Sequence, residues 1–226
     1  MGHKQVAAIT GRLGSIFAWG GMLIVAACAS GRGRAAAVTA DSVPRSSSTI
    51  QALYESGEDR EVVNRVKNTS NITTEADRWF AAQSQLRLGL RRDAMQDLAA
   101  LVRSDDPAVQ VAAQLALGRL TNDEAMLGQA RAAAGAYPES LLVQYELGLS
   151  YAVRNDFAAA ARSFDNCIAS APAFAYAYYQ SALAYQRLDR PDIMANRFDR
   201  FVRLAPNAPE RREVESVLRT ITAGRQ

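Results

Sequence analysis

Residues 141–174 read LLVQYELGLSYAVRNDFAAAARSFDNCIASAPAF, and residues 175–208 read AYAYYQSALAYQRLDRPDIMANRFDRFVRLAPNA. Both segments carry apolar and small residues at helical spacing on either side of a short polar turn. Prolines recur at positions 107, 138, 172 and 206, which are 31, 34 and 34 residues apart. Because proline cannot continue a helix, this period predicts a repeated helical hairpin. We therefore expect an all-α fold of stacked hairpins from residue 49 onward.

The spacing within these segments resembles the tetratricopeptide repeat (TPR), whose signature is W-x2-L-G-x2-Y, then A-x3-F, then P. The matching residues of the two clearest repeats, 141–174 and 175–208, are Leu147, Gly148, Tyr151, Ala160, Phe164 and Pro172, then Tyr178, Ala182, Tyr185, Met194, Phe198 and Pro206. An earlier unit, residues 76–109, carries the tryptophan of the signature as Trp79. The resemblance implies a right-handed α-solenoid in which these residues pack neighbouring helices together.

Other parts of the helical region depart from the signature. Between Pro107 and Pro138 the hairpin is shortened, and residues 49–68 form a degenerate pair of helices around a Ser-Gly turn. Residues 209–221 are amphipathic and are predicted to form a capping helix. The predicted TPR-like domain therefore spans residues 49–221.

The first 27 residues are typical of an export signal. They contain Lys4 and Arg12, no acidic residue, and an apolar run over residues 15–27. Val25-Ala26-Ala27-Cys28 resembles the lipobox of bacterial lipoproteins, in which the cysteine is thioether-linked to a diacylglycerol after cleavage. The resemblance implies lipidation of Cys28 and, because Ala29 follows, attachment to the outer membrane facing the periplasm. A signal anchor, or an ordinary signal peptide with an incidental cysteine, is the alternative.

Residues 28–48 are rich in small and polar residues without apolar periodicity, which predicts a flexible tether after the lipidated cysteine. Removal of the signal takes Lys4 and Arg12 from the 26 basic residues and leaves 24 against 23 acidic ones. A nearly neutral chain argues against nucleic-acid binding.

The composition also argues against an enzyme. The chain of 226 residues has one histidine, His3, within the signal, and its second cysteine is Cys167. A Ser-His or Cys-His arrangement, or a zinc site with histidine ligands, lacks its residues. Carboxylate pairs stay open, because Asp and Glu occur in every repeat. We expect Cys167 to be a buried thiol, and we expect no metal and no cofactor besides the lipid.

The TPR resemblance implies that the first helix of each repeat lines a concave groove. The candidate partner-binding residues on these helices are Phe80, Arg87, Tyr145, Leu149, Tyr176, Tyr179 and Leu183. Aromatic residues are common at recognition surfaces. The alternative is that some tyrosines pack against neighbouring helices, as we expect for Tyr178, which stands at the tryptophan position.

These observations predict a non-enzymatic, membrane-anchored TPR scaffold that recruits a protein or peptide partner in the cell envelope. Two alternatives stay open: a self-associating structural module, and an accessory protein that binds peptidoglycan or exopolysaccharide. The partner's identity and the oligomeric state do not follow from the sequence.

Overall fold

The computed structural model describes residues 49–69 and 73–223, which form eleven α-helices and no strand. The helices are α1 (Ile50–Ser56), α2 (Asp59–Asn68), α3 (Glu75–Arg87), α4 (Arg91–Leu101), α5 (Pro107–Thr121), α6 (Glu124–Ala134), α7 (Leu141–Val153), α8 (Phe157–Ser170), α9 (Ala175–Arg187), α10 (Pro191–Leu204) and α11 (Arg211–Ala223). The predicted export signal, the tether and Cys28 lie outside the described residues.

Consecutive helices pair into five hairpins, from α1/α2 to α9/α10, and α11 packs against α10. Each hairpin packs on its neighbours along the chain. The predicted fold class, all-α with stacked helical hairpins, is confirmed. None of the described helices is both long enough and apolar enough to span a bilayer.

The turn inside every hairpin contains one residue in the left-handed backbone conformation. In order, these residues are Gly57, Gly89, Asn122, Asn155 and Asp189. They are 32, 33, 33 and 34 residues apart. Glycine, asparagine and aspartate tolerate this conformation better than other residues do. The turns therefore follow one period through the whole domain, including the two hairpins that depart from the TPR signature.

Side-chain caps define where most helices begin. Thr74 and Asp77 form a reciprocal capping box at the start of α3. Asp106 accepts hydrogen bonds from the first amides of α5, and Pro107 occupies the first helical position. Asp156 caps α8 in the same way. The Asp105-Asp106 pair thus starts a helix by means of its second carboxylate.

The third hairpin, α5/α6, uses a different close contact from the others. Seven residues before their turn residue, the second, fourth and fifth hairpins have Ala82, Gly148 and Ala182, whereas the third has Leu115. Its small residue is Gly118, one helical turn later, where an added Cβ would lie 3.0 Å from Cγ of Leu127. The atypical spacing of this repeat is therefore a shift of the helix contact by one turn.

The stack also closes on itself. The amide of Asn207, after the last hairpin, donates a hydrogen bond of 3.1 Å to the carbonyl oxygen of Ser56 in the first hairpin. An added Cβ on Gly57 would lie 2.6 Å from the backbone nitrogen and Cα of Ala208. Helix α1 contacts α9 as well. We call this contact the seam; its first side consists of residues 50–59 with Arg87, and its second side consists of residues 174–210.

Candidate functional site

Four of the hairpins point aromatic rings toward one another, from their first helices and from Phe174 at the start of α9. We call this set the inner cluster; it consists of Tyr54, Trp79, Phe80, Tyr145, Phe174 and Tyr176. The ring of Tyr54 is stacked on that of Phe174, with centroids 5.6 Å apart and planes inclined by 11°. Tyr145 meets Phe174 edge to face at 5.1 Å. The cluster thus joins residues of four hairpins.

Arg87 provides the positive charge at the edge of this cluster. Its guanidinium carbon lies 4.0 Å from the ring centroid of Tyr54 and 3.9 Å from that of Tyr176. The Nε atom donates a hydrogen bond of 2.9 Å to Asp59, and Nη2 pairs with the other carboxylate oxygen. A planar guanidinium suits this arrangement because it can stack on two rings and still pair with a carboxylate in its own plane.

Burial governs the chemistry of the phenol groups. It raises the pKa of the Tyr54 hydroxyl to about 12, although the charge of Arg87 acts in the opposite direction. It also raises the pKa of Tyr145 and Tyr176. These hydroxyls are therefore protonated at neutral pH and offer neither a base nor a nucleophile.

The expected open groove is wrong in one respect: the candidate residues line a closed interior. Tyr145, Tyr176 and Tyr179 are only 3%, 2% and 4% exposed. Phe80, Leu149 and Leu183 are buried as well, and the side chain of Arg87 is 14% exposed. The physical reason is ring packing: Tyr145 and Tyr176 meet rings of other hairpins, and Tyr179 packs against Phe198 and Phe201 of its own hairpin. Whether these residues bind a partner stays a prediction.

The residues assigned to repeat packing lie at helix contacts or hairpin ends. Trp79, Ala160, Phe164, Tyr178, Ala182 and Phe198 are buried. Leu147, Tyr151 and Tyr185 are half-buried, and Pro172 and Pro206 are exposed in loops. An added Cβ on Gly148 would lie 2.5 Å from the ring of Phe164, so this position accepts only glycine without a shift of that ring. The Tyr178 hydroxyl donates a hydrogen bond to the carbonyl of Pro172.

A second buried group is polar. Glu146 in α7 accepts hydrogen bonds from Gln83 in α3, at 2.6 Å, and from Arg119 in α5, at 2.9 Å. The side chains of Arg119 and Glu146 are 1% and 0% exposed. Burial raises the pKa of Glu146, and the charge of Arg119 opposes that rise. The group ties three hairpins together and fixes their relative positions through directional bonds.

Two further features offer little chemistry. Cys167 is fully buried, donates a weak hydrogen bond to the carbonyl of Leu141, and has its pKa raised by burial. A cleft of about 520 Å³ lies between α6, α7 and α8. Several of its polar groups have partners: Asp165, for example, accepts hydrogen bonds from Tyr185 and Arg197.

The sequence did not point to several residues that hold the site together. Tyr54, Asp59, Arg119 and Glu146 were all outside the predicted set. The left-handed turn period could have drawn attention to the first hairpin, because Gly57 keeps that period. No local pattern marks the contacts of Arg119 or Phe174, since their partners lie in other hairpins.

No family model and no curated protein matches the chain. Solved structures of MamA share a limited likeness. MamA from AMB-1 covers 70% of this chain and 89% of its own, with 14% identity and a TM-score of 0.40. A second crystal structure of MamA covers 65% of this chain and 80% of its own, with 22% identity and a TM-score of 0.38.

Proposed function

We propose that this chain is a lipid-anchored helical scaffold of the bacterial envelope that faces the periplasm and recruits a protein partner. The observation that carries the proposal is the architecture: five stacked hairpins that expose the large apolar residues Leu90, Val153 and Leu188 at their turns. Repeat folds of this kind serve mainly to present extended binding surfaces. The Val25-Ala26-Ala27-Cys28 sequence supports the anchor.

The described residues favour binding over catalysis. Among residues 49–69 and 73–223, no three His, Cys, Asp or Glu side chains lie close enough together to hold a metal ion. The thiol of Cys167 and the inner phenols are buried and protonated. A partner could instead bind at the hairpin turns, where the exposed large apolar residues Leu90, Val153 and Leu188 lie.

Membrane anchoring is tested by replacing the lipidated residue. Two acyl chains hold a protein stably on a bilayer, whereas a protein without acyl chains lacks this anchor. We expect the wild-type chain to sediment with membranes and to carry a lipid mass, and the Cys28→Ser variant to stay in the soluble periplasmic extract or to keep its uncleaved signal. An unmodified, soluble wild-type chain would remove the anchor from the proposal.

Partner recruitment is tested by photo-crosslinking in cells. A benzophenone side chain is placed at Leu90, Val153 or Leu188, and at the exposed position Arg200 of α10 as a control. A real docking surface should give one product of constant mass from adjacent hairpin turns and none from the control. Alanine at Tyr145 or Tyr179 is unsuitable for this purpose, because these buried rings support the fold and their removal would leave cavities.

If none of the turn positions gives a crosslinked product, partner binding at this edge is contradicted.

A further inference from the structure

The seam is an additional contact for a stack of hairpins. In a linear repeat protein each unit contacts only its neighbours. Here the first hairpin also contacts the last one, with Tyr54 against Phe174 and the Ser56 carbonyl against the amide of Asn207. The four intervening packing contacts between hairpins do not require this closure. The two ends of the stack are therefore surfaces of complementary shape.

The contacts across the seam are specific. The first side consists of the ring of Tyr54, the guanidinium of Arg87 and the turn at Gly57. The second side consists of the rings of Phe174 and Tyr176 and the loop at Ala208. The guanidinium lies 3.9 Å from the Tyr176 ring centroid, and the Tyr54 and Tyr176 centroids are 5.5 Å apart. Flat rings, a cation and one backbone hydrogen bond make a matched pair of faces.

The seam also contains charges that are costly to bury. Glu210 accepts a hydrogen bond of 3.3 Å from the Tyr176 hydroxyl, and Asp59 pairs with Arg87 nearby. Buried charges lower the net gain from a contact even where they are paired. The closure thus combines matched faces with a desolvation cost that lowers its net contribution to stability.

From these contacts we propose that the seam is an exchangeable interface with a second copy of this chain. When it opens, the first hairpin of one copy docks on the last hairpin of the next, and the same residues meet in trans. The occupant follows from the structure, because each copy presents both faces of the pair. The contact is head to tail, so it can extend beyond two copies.

Two-dimensional confinement would favour this exchange. Closure within one chain benefits from an effective concentration on the order of millimolar, and a second copy must compete with that value. Anchoring to one membrane raises the local concentration of copies. The inference does not depend on the partner protein of the proposed function, because partner crosslinking at the outer turns is a separate readout.

The test combines two variants of the full chain, each blocked on one face. Gly57→Ala blocks the first face, because the added Cβ would lie 2.6 Å from the backbone of Ala208. Ala208→Arg blocks the second face, because this alanine is only 6% exposed at the seam. Gly89→Ala is the matched control: Gly89 has a similar φ of 78° against 86° for Gly57, but an added Cβ there meets nothing within 4 Å.

Analytical ultracentrifugation in detergent, up to about millimolar protein, measures the association. We expect each blocked variant alone to be a monomer and their mixture to form a one-to-one heterodimer. The mixture of Gly89→Ala with Ala208→Arg should remain monomeric, because Gly89→Ala still closes on itself. Small-angle scattering should show a larger radius of gyration for Gly57→Ala than for Gly89→Ala at equal helicity.

Three results would overturn the inference. One is a mixture of the two blocked variants that stays monomeric over the whole range. Another is equal association of each variant alone and of the mixture, which would place the contact on another surface. The third is an unchanged radius of gyration in Gly57→Ala, because a seam that stays closed despite the added Cβ is not an exchangeable contact.

Discussion

Arg87 contacts residues of two other hairpins, which no pattern along a single helix predicts. Its guanidinium stacks on the rings of Tyr54 and Tyr176 and pairs with Asp59, so one side chain links α3 to the first and last hairpins. Removing one member of a buried pair costs more than removing both, because the remaining charge has no partner.

Arg87→Met should lower the free energy of unfolding by about 3 kcal/mol, since Asp59 stays buried and loses its cation. The double variant Arg87→Met with Asp59→Leu should recover at least half of that loss. Urea denaturation of the two variants measures the difference. Arg65→Met, at a pair with side chains 31% and 41% exposed, is the control and should cost less than about 1 kcal/mol. Equal losses in the single and double variants would contradict this account of Arg87.

Glu210 gives the seam a pH dependence. Burial raises its pKa above the ordinary value of 4.5, while Arg87 and the Tyr176 hydroxyl act in the opposite direction. A carboxyl whose pKa is raised on folding stabilises the fold below its unfolded pKa, and this contribution is lost as the pH rises through the folded pKa.

Glu210→Gln should therefore be more stable than the wild type at pH 7, because the amide oxygen accepts the same hydrogen bond without a half-buried charge. The difference should shrink when both are measured near pH 4, where Glu210 is protonated. Denaturant titrations at the two pH values test this, with the exposed Glu213→Gln as control. A Glu210→Gln variant that is less stable than the wild type at pH 7 would refute the proposed cost of this charge.

At the scale of single helices, the close crossing of α7 and α8 depends on Gly148. An added Cβ would lie 2.5 Å from the ring of Phe164, which is itself 1% exposed and has no free space to enter. Gly128 in α6 offers the opposite situation, because an added Cβ there meets nothing within 4 Å.

Gly148→Ala should destabilise the fold by about 1–3 kcal/mol through overpacking. Gly128→Ala should be neutral or stabilise it by up to about 1 kcal/mol, because alanine has the higher helix propensity. Thermal unfolding followed by circular dichroism measures both. If the two substitutions shift the melting temperature in the same direction, the close contact at Gly148 is not what restricts this position.

At the scale of the whole molecule, the seam couples the two ends of the stack. Without it, unfolding could begin at either end without effect on the other, as in linear repeat proteins. With it, the turn at Gly57 and the loop at Asn207 protect each other through the hydrogen bond from the Asn207 amide.

Gly57→Ala should therefore increase amide hydrogen exchange both in α1 and in residues 205–211, which are about 150 positions apart in the chain. Helices α7 and α8 should keep their protection. Gly89→Ala, with the same backbone conformation and no seam contact, should leave residues 205–211 unchanged. Faster exchange confined to α1 would show that the ends are not coupled.

Much of the architecture could be predicted because its determinants are local. These determinants are the proline at the end of each hairpin, the polar residues of its turn, and the contact between Gly148 and Phe164. Each of them involves residues of a single hairpin. The third hairpin was harder to predict, because its small contact residue is Gly118, one helical turn after the usual position, which Leu115 occupies. The candidate site was predicted only as a set of first-helix residues. Neither the burial of these residues nor the part played by Tyr54, whose ring meets four others, was predicted.

The sequence alone determined a repeated helical hairpin, because helix propensity, helix caps and left-handed turn residues act over a few positions. Only the tertiary structure decided whether the inner surface is open. Each hairpin adds a small rotation to the stack, and the sum over five hairpins brings Tyr54 onto Phe174, 120 positions away. No local signal reports such a sum, because it depends on every hairpin contact between them.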